Sequence, residues 1–226
     1  LNRSVFNTGV EFSFKASNTW PDAKLSFLDV DGLRHVMQPM ANYVFVPDPN
    51  KRPWEIPQFD RELHSLRLRP IDFPDYNSID TIDSRNVLRI GVRNRLQTKR
   101  FGLVDDVLNW ELFTDWRLET GIYEDRFNDI YSNLEVKPRS WLLLGSELRY
   151  DPNNRLLNES NHTISLLPNN KWSLTLGHRY LRDWAQEELK VRYPYDPFFE
   201  NVLGEDWRWG NNLLYTRLYY RINEEW

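Results

Sequence analysis

The sequence predicts an all-β chain: an antiparallel, up-and-down transmembrane β-barrel, represented by about nine strands of a larger barrel. Three observations lead there. Apolar and polar residues alternate with period two in one segment after another. The connections between these segments alternate between short and long. No stretch of about 18 uncharged apolar residues exists, which excludes a transmembrane helix but not transmembrane strands, because half of a barrel strand faces water.

Composition agrees. Charged residues make up 27% of the 226 residues and mean hydropathy is -0.68, too polar for a helical membrane protein. The aromatic share of 15% suits either an interfacial girdle or a carbohydrate-binding surface. A net charge of -4 offers no general attraction to nucleic acid. With no cysteine, disulfides, zinc thiolates and a cysteine nucleophile are excluded. No signal peptide is visible; the chain opens on Leu1 and stops at Trp226 just past a strand pattern, so it is read as an internal piece of a longer protein.

The strands follow in order. Val10, Phe12, Phe14 and Ala16 alternate with Glu11, Ser13 and Lys15. Residues 33–46 form a second extended run ending in Tyr43-Val44-Phe45-Val46. In 87–97, Leu88, Ile90, Val92 and Leu96 alternate with Arg89, Gly91, Arg93, Arg95 and Gln97. The clearest run is 108–118. Leu108, Trp110, Leu112, Thr114, Trp116 and Leu118 take one face, and Asn109, Glu111, Asp115 and Arg117 the other, with Phe113 the exception. Weaker or shorter runs follow at 129–138, ended by Pro138, then at 141–150, 157–167 and 171–182. The last, 211–222, sets Leu214, Thr216, Leu218, Tyr220 and Ile222 against Tyr215, Arg217, Tyr219 and Arg221.

Connections at 100–107, 138–140 and 168–170 are short; those at 47–85, 120–128, 151–156 and 183–208 are longer and rich in Pro, Asp and Asn. A meander with turns at one end and loops at the other alternates in this way, as outer-membrane barrels do. A Greek-key sandwich has no reason to. The connection at 17–32 is too long for the turn side. The whole chain, 1–226, is expected to belong to one barrel domain, with long extracellular-type loops at about 47–85 and 183–208.

Two segments resemble a known family. Leu33-Arg34-His35-Val36-Met37-Gln38-Pro39-Met40-Ala41-Asn42-Tyr43-Val44-Phe45-Val46-Pro47 is similar to the His-x-x-x-Pro-x-x-x-Tyr strand of the LPS-assembly protein family LptD, the organic solvent tolerance proteins. Ile56-Pro57-Gln58-Phe59-Asp60 resembles the Pro-x-Phe-Asp of the loop that follows there. Ser78 to Asn86 and Tyr150-Asp151-Pro152 occupy matching places further on. His35, Pro39, Tyr43, Pro57, Phe59 and Asp60 are the residues that carry the likeness. The resemblance implies a bacterial outer-membrane barrel that passes lipopolysaccharide to the outer leaflet and is a transporter, not an enzyme. It implies a plug lipoprotein in the lumen, a periplasmic bridge protein and outer-membrane lipid as partners, with no cofactor and no nucleic acid. This piece would be a mid-to-late part of the wall, without an evident gate strand.

The lumen-facing candidates for lipid contact are Arg89, Arg93, Arg95, Glu111, Asp115, Arg117, Arg179, Arg217 and Arg221. Arginine binds phosphates and acid sugars in a forked geometry. The alternative is that these arginines pair with Glu111, Asp115 and Glu147 to hold the wall, which is the commoner use and the favoured one. His35 has no Ser or Cys nucleophile pattern nearby and is read as structural. Asp29-Val30-Asp31-Gly32 lacks the later ligands of a calcium loop and is read as a turn. Asp80 and Asp83 are a weak candidate pair for glycoside hydrolysis. Trp110, Trp116, Trp172 and Tyr180 are expected to anchor a barrel at the membrane interface rather than to stack on sugars. Asn158 and Asn161 fit the glycosylation pattern, which is uninformative in a bacterial barrel. Two alternatives remain: a soluble carbohydrate-binding or carbohydrate-active β protein, and a generic porin or receptor barrel.

Overall fold

A computed structural model describes residues 2–57, 59, 80, 82–119, 125–169, 171–182 and 211–222. They form one antiparallel sheet of ten strands: β1 (Thr8–Ser13), β2 (Ala16–Leu25), β3 (Val30–Val46), β4 (Arg85–Arg100), β5 (Leu103–Arg117), β6 (Ile130–Arg139), β7 (Leu142–Asp151), β8 (Leu156–Leu166), β9 (Trp172–Leu181) and β10 (Asn211–Tyr220). From β3 onward each strand pairs with the next, while β1 and β2 share the other side of β3. The sheet does not close on itself.

The ten strands act as nine. β1 pairs Ser13 with Met40 and β2 pairs Ala16 with Met37, so both keep one register on β3 and only Phe14 and Lys15 fall out of the ladder. The break lies opposite Pro39, which has no N–H to give. Its carbonyl still accepts from the Phe14 N–H at 3.4 Å. The long connection expected at 17–32 is therefore mostly strand. What remains is a 3-10 turn, Ser26–Leu28, closed by Asp29 in the left-handed region at φ 49°. That puts it on the turn side, and the alternation of turns and loops extends to the first connection.

Two other boundaries differ from the sequence reading. β5 begins at Leu103, because Phe101 and Gly102 make a two-residue turn with φ of 52° and 80°, the left-handed pair that suits a tight hairpin. The connection at 151–156 shrinks to Pro152–Arg155, where the Asp151 carboxylate accepts the backbone N–H groups of Asn153 and Asn154 at 2.8 and 3.1 Å. The 183–208 connection lies outside the described residues.

The registers sort the side chains of all ten strands onto two faces. One face carries Phe12, Val92, Leu112, Leu134, Leu144, Ile164, Leu176 and Leu218, and over the middle of the strands no Asp, Glu, Lys or Arg. Charges of this parity, Lys24, Asp31, Arg100, Asp105 and Arg139, occur at the turn end, and along the middle of the strands the charges stand on the other face. Burial is inverted relative to a soluble domain. Among the described residues five apolar side chains are buried, all valines, against eight polar or charged ones, so the interior of this sheet is its polar side. Val44 and Val46, with Ile82 and Val87 packed on them, form a small cluster near the loop end.

Glycines on the polar face receive bulky neighbours. The ring of Phe113 covers Gly91, which accounts for the one apolar residue on the charged face of β5. Likewise Tyr215 of β10 lies over Gly177 of β9, and its hydroxyl reaches Asn161 of β8 at 2.9 Å. A Cβ at position 177 would stand 2.1 Å from the Tyr215 ring. Gly177→Ala is expected to lift the ring, break that hydrogen bond and cost about 1–3 kcal/mol in urea unfolding. Tyr215→Ala in the same chain is expected to relieve the strain, so the two losses will not add. Additive losses would show that the ring does not depend on the glycine.

Candidate functional site

The polar face is a belt of side chains that run across neighbouring strands. One row passes Gln38, Arg93, Glu111, Asn133, Glu147, Asn161 and Arg179 from β3 to β9. Arg93 and Glu111 attract directly across one step, and the neutral amides Asn133 and Asn161 keep Glu147 apart from Glu111 and from Arg179. Asn161 donates to Glu147 at 2.9 Å and accepts from Tyr215, so β7, β8 and β10 are tied together over the top of β9.

The sequence-derived candidates divide by partner. Arg89 and Asp115 face each other across β4 and β5 and make a forked pair, Nε to Oδ1 at 2.6 Å and Nη2 to Oδ2 at 3.0 Å, both largely buried. Arg93 meets Glu111 at 2.5 Å, yet its Nε–H is not directed at the carboxylate, so this is a charge contact rather than a full hydrogen bond. Arg117 donates to the Asp125 carbonyl at 3.1 Å. Arg95 and Arg179 share the face but form no hydrogen bond or ion pair among the described residues. Arg217 stands exposed on β10, and Arg221 lies just past that strand, its backbone N–H on the Lys171 carbonyl.

Near the loop end, Arg149 pairs with Asp129, stacks on Tyr131, and faces Glu159 directly across β7 and β8. Asn158 adds a hydrogen bond to Asp129 at 3.2 Å. Glu159 is fully buried without a hydrogen-bond partner for either oxygen, and Arg149 and Arg179 supply its countercharge from both neighbouring strands. Sequence reasoning missed it, because a lone Glu in a polar stretch of Asn and Ser gives no sign of burial.

Arg100 at the turn end was missed as well. Its buried guanidinium donates to the carbonyls of Leu28, Lys137 and Pro138 at 2.8–2.9 Å, more distantly to that of Asp29 at 3.4 Å, and to Asp105 at 3.0 Å. Lys137 also meets Asp105, and Arg139 meets Asp29. Three turns are thereby fastened by one side chain.

The family-motif residues lie elsewhere. His35, Pro39 and Tyr43, spaced by four, all take the apolar face, where His35 bonds Asn94 at 3.1 Å and Tyr43 bonds Asn86 at 3.1 Å. Pro57 and Phe59 sit at the loop end, and the Phe59 N–H donates to Asp80 at 2.8 Å. Asp60 is outside the described residues. Asp80 thus serves the loop. Asp83 pairs with Arg52 at 3.7 Å, so these two carboxylates have structural partners. Asp29 occupies a turn. No group of three or more potential metal ligands occurs among the described residues.

The aromatics of the apolar face collect at its two ends. Tyr43, Trp116 with Phe127 stacked on it, Tyr150 and Tyr180 mark the loop end. Trp20, Trp172 and Tyr220 mark the turn end. Trp110 departs from the interfacial expectation: it stands at mid-strand, with its indole N–H donating to Ser132 at 3.0 Å.

An open meander with one apolar face, uncharged between its aromatic ends, and one ion-paired face defines a class of amphipathic β-wall proteins. The model of the family described as LPS transport system D, LptD, matches residues 8–195, which takes in β1 to β9. The chain belongs to the LptD family. That family is one of outer-membrane lipopolysaccharide transport components and not of enzymes. No curated protein matches the chain. No helix among the described residues is long and apolar enough to cross a membrane, a test that strands escape.

Proposed function

We propose that this sheet is part of the wall of an outer-membrane barrel that inserts lipopolysaccharide into the outer leaflet, with its apolar face on lipid and its polar face on the lumen. The observation that carries this is the absence of charge from the middle of one face across all ten strands, between the aromatic side chains at its two ends. From Trp172 to Tyr180 the chain runs roughly 26 Å at about 3.3 Å per residue. At a tilt of about 40° this spans about 20 Å, within a few ångströms of the ~25 Å apolar band of such barrels. A soluble carbohydrate-binding protein would have to cover that face, and the described residues leave Phe12, Ile164, Leu176 and Leu218 exposed on it.

On this reading the lumen candidates have two duties. The pairs Arg89–Asp115 and Arg93–Glu111 hold the wall, Arg179 balances Glu159, and Arg95 and Arg217, without an ion pair among the described residues, are available to anionic groups of the lipid in transit. A plug lipoprotein and a periplasmic bridge protein complete the machine.

Because the chain has no cysteine, a single introduced one can be labelled alone. A fluorophore at Leu144→Cys is expected to be quenched by brominated lipid and one at Glu147→Cys by aqueous iodide. The reverse pattern would sink the membrane reading. Cells depleted of the protein are expected to lose newly made lipopolysaccharide from their surface; an unchanged surface would remove the transport role.

A further inference from the structure

Building on that reading of the polar face, we propose that Arg34, Arg93 and Arg95 form a phosphate-binding corner, which takes a phosphate group of the lipid in transit. Several cations elsewhere on the sheet are answered by carboxylates: Arg89 by Asp115, Arg100 and Lys137 by Asp105, Arg139 by Asp29, and Arg149 by Asp129. The corner is different. Arg93 and Arg95 are two apart on β4, and Arg34 on β3 lies opposite Gln97, diagonal to Arg95. All three point to the polar face, about 7–8 Å apart at most between diagonal neighbours.

One carboxylate, Glu111, serves the three, and it meets Arg93 alone. Two other acids share this part of the face: Asp106 accepts from Gln97 at 2.7 Å, and Glu135 stands one strand further from Arg95, beyond Asn109, with no ion pair to the corner among the described residues. Arg34 and Arg95 have no hydrogen bond or ion pair among the described residues. Asn109 lies directly opposite Arg95 and keeps a buried amide oxygen with no partner, so Arg95 leaves even its nearest acceptor unused. Three guanidinium groups with one carboxylate repel one another. An anion placed among them removes that repulsion. Phosphate suits the site best, because its several oxygens accept forked bonds from more than one guanidinium at once.

The test uses the full protein in proteoliposomes, with a photo-crosslinking residue in place of Gln38, which lies on the same face opposite Arg93. The probes are lipopolysaccharide and its enzymatically dephosphorylated form. Crosslinking is expected to fall about ten-fold for the dephosphorylated lipid and in the variant Arg34→Gln/Arg95→Gln. Arg34→Lys/Arg95→Lys, which keeps charge but loses the fork, is expected to fall in between. Arg155→Gln/Lys171→Gln, at two exposed turns away from the corner, is the charge-matched control. Removing like charges relieves repulsion, so the Gln variant is expected to unfold no more readily than the parent.

Equal crosslinking of the two lipids, or no loss in the Gln variant, overturns the corner. Displacement of the lipid by micromolar inorganic phosphate would make free phosphate the ligand and overturn the lipid assignment. Probes at Asn133 and Asn161 separate the two levels of the argument. Crosslinks there that ignore Arg34 and Arg95 sink the corner alone, and no crosslink anywhere on the polar face sinks the transport reading with it.

Discussion

Replacing Arg100 with alanine is expected to cost about 3–5 kcal/mol, the range for removing one partner from a buried charged network. The side chain is only 2% exposed and it fastens the turn at 26–29, its own hairpin and the β6–β7 turn to one another. Without it the carbonyls of Leu28, Lys137 and Pro138 each lose a charged donor, and Asp105 keeps only Lys137. Arg100→Lys is expected to recover little, since a point ammonium cannot fan out over several acceptors on three turns. The midpoint of urea unfolding in detergent is the measurement. A shift of less than a few tenths of a molar would show that the turns hold their places unaided.

Arginine in place of Leu112 is the second large effect. Leu112 stands at mid-height of the apolar face, between Val92 of β4 and Ser132 of β6. A guanidinium there is expected to cost about 2–4 kcal/mol if the face meets the bilayer core, as charged substitutions on the lipid face of barrels do. The same change at Asn133, which lies between Glu111 and Glu147 on the polar face, is expected to be near neutral or mildly stabilising. Stability in lipid separates the two. If both substitutions are tolerated equally, the apolar face does not contact lipid, and the barrel reading loses its main support.

Much of this architecture was legible in the sequence, because a strand's side-chain period is two and cannot drift. Trp110, Leu112 and Trp116 against Glu111, Asp115 and Arg117 announced a two-faced strand, and the registers place those sets on opposite faces as expected. That Arg89 and Arg93 share a face with Glu111 and Asp115 follows from the same parity, whereas the pairs Arg89–Asp115 and Arg93–Glu111 come from register. The misreadings have local causes. Residues 17–25 read as connection in the sequence because Asn18, Pro21, Asp22 and Lys24 dilute their pattern, and Pro21 falls inside the register shift between Trp20 and Lys24. Pro21 is tolerated there because β2 is an edge strand. Phe113 broke the alternation for a reason found only on the next strand, in the empty space above Gly91.

The sequence by itself determined the class of structure: all-β, amphipathic strand by strand, without a membrane helix, and marked by motifs at 33–60 that resemble the family whose model the chain matches. Only the tertiary structure decided which charges are paired and which are left over. Pairing depends on register, and register is a relation between strands that no single strand encodes. Arg89 and Arg95 are equivalent by parity, yet register sets one against Asp115 and the other against Asn109. The same holds for Glu159, whose burial comes from Arg149 and its surroundings rather than from its own segment, and for Arg100, whose carbonyl partners belong to turns far away in sequence. One-dimensional periodicity fixes the face of a residue, and three-dimensional register fixes its partner.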